Sequence, residues 1–256
     1  MQLVIFLAVS VSLFLLYVLF IFPTQWLKIE RVHHPLGLNK RIMQISDLHV
    51  DKLRVSARRI RLALEDAQPD YIFLTGDYTY DERYLPRVAH YFKAIADYGL
   101  PVYAVLGNHD YDLPRLQRLL DLFKVYHIHV LRNESVQLDD FQLVGIDNDS
   151  TRHSRIEPSF EGVNGEKPII VITHDPNVLL RIKRPFDFLM AGHLHGKQMN
   201  VPFFFVFKPK GPLAAKGIYK GLHFGEQGPY YISKGIGQAG INARFMVRSE
   251  ITIHEL

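Results

Sequence analysis

Five times along this chain a short apolar run ends in a small cluster of aspartate, histidine, asparagine and glycine, and this arrangement constrains the fold more than any other feature. The clusters are Ser46-Asp47-Leu48-His49, Thr75-Gly76-Asp77, Leu106-Gly107-Asn108-His109-Asp110, Thr173-His174-Asp175 and Ala191-Gly192-His193-Leu194-His195-Gly196. The runs before them are rich in β-branched and aromatic residues, as buried strands are. Candidate strands cover 41–46, 71–74, 102–105, 141–146, 169–173, 188–190, 230–233 and 251–254. Between them, Val88, Tyr91, Phe92 and Ile95 recur at helical spacing, as do Leu116, Leu119, Leu120 and Phe123, so each segment carries one apolar face. Strands alternating with amphipathic helices predict a layered α/β protein, and polar residues just beyond strand ends mark where such proteins keep their sites.

The beginning of the chain obeys a different rule. From Leu3 to Phe22 it is almost wholly Leu, Val, Ile, Phe and Ala, and the first charged side chain is Lys28. That is one bilayer's worth of helix. Tyr17 and Trp26 stand where interfacial aromatics sit, and Lys28, Arg31, Lys40 and Arg41 follow the span with no cation before it, which puts the large domain on the cytoplasmic side. A cleavable signal peptide needs a basic start and small residues at its end, and Phe22-Pro23-Thr24-Gln25-Trp26 supplies neither. The expected organisation is a transmembrane anchor over 1–27, a polar juxtamembrane linker over 28–40, and one domain over 41–256, with no repeat or Pro/Gly linker to divide it.

The chain has no cysteine, which removes disulfides, zinc-thiolate sites and cysteine nucleophiles together. Any metal must be held by His, Asp, Glu or Asn, a donor set that suits Mn²⁺, Fe²⁺ or Zn²⁺ better than Ca²⁺. Residues two apart point the same way in extended backbone, so Asp47 with His49, and His193 with His195, can each converge on one centre. Two divalent ions roughly 3.5–4 Å apart can share a bridging carboxylate, neutralise phosphate oxygens and present a nucleophile at neutral pH. A formal charge of +4 suits phosphate substrates or acidic lipids, and equally a solvated basic surface.

In order and spacing, the D-x-H, G-D, G-N-H-D, lone H and G-H-x-H motifs resemble the calcineurin-like metallophosphoesterase family over nearly all of the chain from Arg41 onward. The stretch from Gly211 through Tyr230-Tyr231-Ile232-Ser233-Lys234-Gly235-Ile236-Gly237 to Arg244 is similar to its membrane-associated bacterial subgroup. The resemblance implies a four-layer αββα sandwich. It implies that Asp47, His49 and His195 hold one divalent ion and Asn108, His174 and His193 another, with Asp77 bridging. His109 would stabilise the transition state and protonate the leaving oxygen. Many members place an Asp three residues after the bridging Asp to orient that histidine; Tyr80 stands there in this chain, leaving Asp110, Asp81 or a backbone carbonyl for the task.

The implied activity is hydrolysis of a phosphodiester or pyrophosphate bond with two metal ions, Mn²⁺ first and Zn²⁺ or Fe²⁺ as alternatives. The anchor and its basic flank favour a lipid-linked or membrane-proximal phosphate substrate. A soluble phosphodiester is the main enzymatic alternative, and a non-catalytic metal-binding scaffold at the membrane is the alternative from another class. Nucleic acid is not expected, because no long basic and aromatic track runs through the sequence.

The remaining histidines, His33, His34, His90, His127, His129, His153, His223 and His254, read as structural or surface residues. Asp51, Asp81 and Asp112 read as turn or cap residues that remain candidates to support the site. Arg58, Arg59 and Arg61 read as the solvated face of a helix. The Val201–Phe207 run, flanked by Lys197, Lys208 and Lys210, reads as a hairpin strand on the core in preference to a segment dipping into lipid.

Overall fold

The computed structural model describes residues 1–200 and 210–256. The Val201–Phe207 run lies outside the described residues.

The apolar N-terminus is helical throughout. Helix α1 (Gln2–Leu16) passes through a π turn at Tyr17–Ile21 into α2 (Phe22–Gln25). Over the most apolar 18 of these 24 residues the mean hydropathy is 2.9, and that window buries nothing against the domain. At 1.5 Å per residue the 24 residues reach about 36 Å, enough to cross a bilayer.

The stretch expected as a linker is partly sheet. Lys28–His33 forms β1, paired in parallel with the last strand of the chain from Lys28↔Glu250 to His33↔Glu255. Its mixed polar pattern suits an edge strand with one face exposed, a pattern that reads as linker when taken alone.

Among the described residues, the main domain is built from two six-stranded sheets. After β1 come β2 (Arg41–Ile45), helix α3 (Ala57–Ala67), β3 (Tyr71–Thr75), α4 (Leu85–Ala96), β4 (Val102–Val105), α5 (Asn108–Tyr111), α6 (Leu116–Val125) and β5 (His129–Val130). The second sheet follows with β6 (Glu134–Gln137), β7 (Gln142–Ile146), α7 (Ile156–Ser159), β8 (Ile169–Thr173), β9 (Phe188–Ala191), α8 (Pro212–Ala215), β10 (Gly221–Phe224) and β11 (Pro229–Ile232). The chain then returns to the first sheet as β12 (Glu250–Glu255), so the orders are β1-β12-β2-β3-β4-β5 and β10-β11-β9-β8-β7-β6.

Between the sheets lies an apolar core that includes Ile42, Phe73, Val105, Phe141, Ile170, Phe188 and Met190. The outer face of the first sheet is covered by α3, α4 and α6. Ser56 caps α3 by accepting from the Arg59 amide, and α4 turns Leu85, Val88, Tyr91, Phe92 and Ile95 inward. The outer face of the second sheet is covered more thinly, by α7, α8 and a 3₁₀ turn at Pro176–Leu180, around Phe160, Val178 and Ala214. The αββα layering is as expected, with one helical layer reduced to short turns. Arg58, Arg59 and Arg61 are exposed on α3, as their spacing predicts.

The register explains where the polar clusters meet. Neighbours β2, β3 and β4 are parallel, as are β7, β8 and β9, so all five clusters emerge at carboxyl ends of strands. Gln44 ties the two sheets at that edge, its amide donating to the Ala191 carbonyl at 2.9 Å and to Thr75 Oγ1 at 3.1 Å.

Candidate metal centre

Two overlapping sets of side chains form at this edge. Asp47, His49, Asp77 and His195 offer donor atoms within 4.8 Å of one another, as do Asp77, His174 and His193. Asp77 belongs to both. Its Oδ2 lies 3.3 Å from His49 Nε2 and 3.2 Å from His174 Nε2, while His195 Nε2 lies 3.2 Å from Asp47 Oδ1. His193 Nδ1 and His174 Nε2 approach to 3.2 Å. Asn108 and His109 line the same cavity of about 400 Å³ as Asp77, His193 and His195.

Convergence does not arise from strand alternation. The strands end at Ile45 and Ala191, and Asp47, His49, Asp77, His193 and His195 all have left-handed backbone, with φ between 39° and 72°. Such backbone costs a non-glycine residue roughly 1 kcal/mol or more and persists where surrounding contacts overrule it. Here the contacts are visible: Asp47 N donates to Gly76 O, His49 N to Asp77 O, and His193 N to the Asp47 carboxylate. Glycines admit the close approach, since an added Cβ would lie 2.2 Å from Asp77 Oδ1 at Gly107 and 1.9 Å from Ser46 Oγ at Gly192.

The donor set fits divalent cations. His49 Nδ1 and Nε2, His195 Nδ1 and Asn108 Oδ1 are buried with no hydrogen-bond partner among the described residues; the 3.3 Å approach of His49 to Asp77 is not aligned as a hydrogen bond. Buried polar atoms without partners are costly unless something else satisfies them. His174 donates from Nδ1 to Thr75 O at 2.8 Å, which leaves Nε2 aimed at Asp77 and free to ligate. Burial, with the neighbouring His174 charge at His193 and Lys210 at His195, holds both imidazoles well below the usual histidine range, in the neutral form that binds metal. Burial alone would raise the Asp77 carboxyl, but His174 and His49 outweigh it and hold it well below the carboxylate range. His174 is pushed up to about 10, the Asp77 charge overcoming the burial that would lower it. A cation beside Asp77 would meet the charge that otherwise retains that proton.

His109 stands at the rim. Its amide donates to Asp77 Oδ1 at 2.9 Å, and its Nδ1 lies 3.0 Å from Asp112 Oδ2. The partner that Tyr80 fails to supply is therefore Asp112, and not Asp110 or Asp81. Asp110 instead accepts from the amides of Gly107, Asp77 and Tyr78, bracing the loop from beneath. Asp81 caps the turn that starts at Glu82. The signal for Asp112 was its i,i+3 spacing from His109, which puts the two on one face of a helical turn. Tyr80 is not idle, since its ring lies 6.0 Å from that of His109.

The stretch from Tyr230 to Arg244, noticed in the sequence only as a resemblance, closes over Asp47. Ile236 N donates to Ser46 O and Gly237 N to Asp47 O. Arg244 fixes that loop from inside, donating to the carbonyls of Lys234, Gly235 and Gly237.

Comparison with known proteins agrees with this geometry. A family profile for calcineurin-like phosphoesterase matches residues 40–197. An uncharacterized metallophosphoesterase of Bacillus subtilis, YkoQ, is 37% identical over 84% of this chain and 83% of its own length. The phosphodiesterase YaeI of Escherichia coli is 29% identical over 89% of this chain and 88% of its own. A zebrafish (Danio rerio) transmembrane protein with a metallophosphoesterase domain is 27% identical over 85% of this chain and 53% of its own. One solved crystal structure superposes with a TM-score of 0.50 at 15% identity, covering 77% of this chain and 90% of that one, a likeness of fold. Two sheets meeting at a buried His/Asp cluster, and a profile match spanning most of the domain, make this chain a member of the calcineurin-like phosphoesterase family, hydrolases of phosphoric esters that work with a dinuclear divalent metal site.

Proposed function

We propose that this protein is a membrane-anchored hydrolase of phosphodiester or pyrophosphate bonds, acting on a lipid-linked or membrane-proximal phosphate from the cytoplasmic side. The observation that carries the metal assignment is the sharing of Asp77 by two donor sets, all of whose members are buried except the half-buried His193. In this reading Asp47, His49 and His195 hold one ion, Asn108, His174 and His193 the other, and Asp77 bridges. When bound, the pair supplies charge to neutralise phosphate oxygens and an activated water-derived nucleophile, with Mn²⁺ the leading choice and Zn²⁺ or Fe²⁺ alternatives.

The chain's own residues supply the rest. Asp112 holds His109 Nδ1, so Nε2 is the nitrogen that faces substrate and donates the proton to the departing oxygen. His174 is locked by Thr75 O, and Asp110 keeps the Gly107–Asp77 contact closed, which preorganises the ligands. Anchoring is supported by contacts at the helix base, where the Arg244 amide donates to Phe20 O and Ser249 Oγ to Thr24 O. A segment cleaved from the protein would take away the acceptors of both donors.

The test is hydrolysis of bis-p-nitrophenyl phosphate by the purified protein with Mn²⁺, beside Asp77→Ala and His109→Ala. Loss of the proton donor is expected to lower the rate by about 10²–10⁴-fold. Equal rates for all three proteins would refute the assignment. A substrate panel of lipid-linked and soluble phosphates separates the membrane-proximal substrate from a soluble phosphodiester.

A further inference from the structure

Among the described residues, the base of the apolar helix is held to the domain mainly by residues 244–249. Phe20 stacks on Phe245 at 5.2 Å, Ser249 N donates to Pro23 O at 3.1 Å, and the Arg248 guanidinium lies 3.5 Å over the Trp26 ring. Arg54 bridges the two, donating to Thr24 Oγ1 and to Asn242. The residues just before that segment are held by Gln198, which bonds Ala239 and Ile241.

Two apolar side chains nevertheless point away from this braced ledge. Ile241 is 63% exposed and Met246 is 72% exposed, the latter with left-handed backbone at φ 55°. A methionine in that conformation is strained, and here the strain turns a large apolar group outward beside the helix base. Scattered exposed apolar residues need no explanation, but these two continue the surface of a helix that is itself lipid-compatible along its length. Trp26 and Arg248 at the helix base, and Arg54 bonded to Asn242 next to Ile241 in the chain, are the residue types of a membrane interface. The same ledge also reaches the site: Gly240, the neighbour of Ile241, lines a cavity of about 290 Å³ with His49, Lys52, Tyr80 and His109.

We infer that Ile241 and Met246 form a second bilayer contact beside the N-terminal helix, seating the cavity at His49 and His109 at the level of lipid head groups. The inference rests on reading residues 2–25 as an anchor and deepens the proposed function by fixing how substrate reaches the site. The bilayer is the occupant because the ledge is continuous with the helix that would enter it.

The absence of cysteine makes the test direct. Full-length Ile241→Cys and Met246→Cys, each labelled with an environment-sensitive fluorophore, are reconstituted in phosphatidylcholine–phosphatidylglycerol liposomes with or without a shallow nitroxide lipid. Val125→Cys is the control, an exposed position at the end of α6 leading to the sheet edge opposite β1. Labels at 241 and 246 are expected to emit in the blue and to be quenched several-fold by the nitroxide lipid, the label at 125 neither. Water-like emission at all three in protein that survives carbonate extraction overturns the ledge and leaves the anchor standing. Release by carbonate removes the anchor and the ledge together. In parallel, Ile241→Ser/Met246→Ser is expected to hydrolyse a nitrophenyl phosphodiester borne on a lipid about tenfold more slowly, since two apolar contacts are lost, with bis-p-nitrophenyl phosphate turnover unchanged. Equal lipid-borne rates overturn the placement of the cavity, whereas failure on the soluble ester in the parent protein is a failure of the proposed hydrolase itself.

Discussion

His254 offers a quantitative test of how the two sheets are held together beneath the metal centre. It lies on β12, wholly buried, with Nε2 2.9 Å from Gln44 Oε1. Because the Gln44 amide already donates to Thr75 and Ala191, its oxygen accepts and His254 Nε2 donates. Nδ1 is then a bare acceptor without a partner, among the rings of Phe188 and Tyr231. A proton there would create an unpaired charge in the core, and burial accordingly pushes the imidazole down to about 3. The unfolded chain titrates near 6.5. Below that value the unfolded state binds a proton that the folded state refuses, so stability is full above pH 6.5 and declines as the pH falls toward 3. At pH 5 the separation from the unfolded value is about 1.5 units, or about 2 kcal/mol at 1.36 kcal/mol per unit. His254→Gln keeps a donor for Gln44 and removes the titration. Urea unfolding of both proteins in detergent, followed by far-UV circular dichroism, is expected to show the wild type losing about 2 kcal/mol more than the variant between pH 7 and pH 5. The candidate metal ligands are common to both proteins and cancel in that difference. Parallel losses in the two proteins would refute the argument.

Asp112→Asn removes the charge that holds His109, and because both side chains are partly exposed the expected fall in kcat is only about two- to fivefold with little change in KM. Steady-state kinetics on a soluble diester decide it. Gly107→Ala would set a methyl 2.2 Å from Asp77 Oδ1, and is expected to lower bound metal, measured by mass spectrometry, while circular dichroism stays that of a folded protein. Arg244→Met leaves the carbonyls of Lys234 and Gly237 without this donor, while Gly235 O keeps the Glu250 amide, so at about 1 kcal/mol for each orphaned carbonyl the urea midpoint is expected to fall by the equivalent of about 2 kcal/mol.

Much of this protein is legible in one dimension because its signals are local. The apolar stretch from Leu3 to Phe22 announces a helix by length alone, and the buried strands declare themselves by β-branched runs whose ends fall within a residue or two of their observed limits. The residues that meet at the candidate metal centre are legible for the same reason, since five polar clusters stand just beyond apolar runs in the sequence. Strands β1, β5, β6 and β10 were not foreseen. They lie toward or at the sheet edges with few buried apolar positions, and only pairing with a neighbour makes them strands.

What the tertiary structure alone decided is how those residues meet. Alternation along a strand was a reasonable expectation for Asp47 with His49, but the chain leaves the sheet first and reaches convergence through left-handed backbone that only long-range hydrogen bonds can hold. The choice of Asp112 over Asp110 as partner of His109 depends on which carboxylate the folded loop turns inward, and Asp110 is taken by three amides. The union of the helix base with residues 244–249 joins segments more than 200 positions apart, and that of Asp47 with Gly237 joins segments 190 apart. Sequence states what each segment is made of; only closure of the two sheets brings those parts within reach of one another.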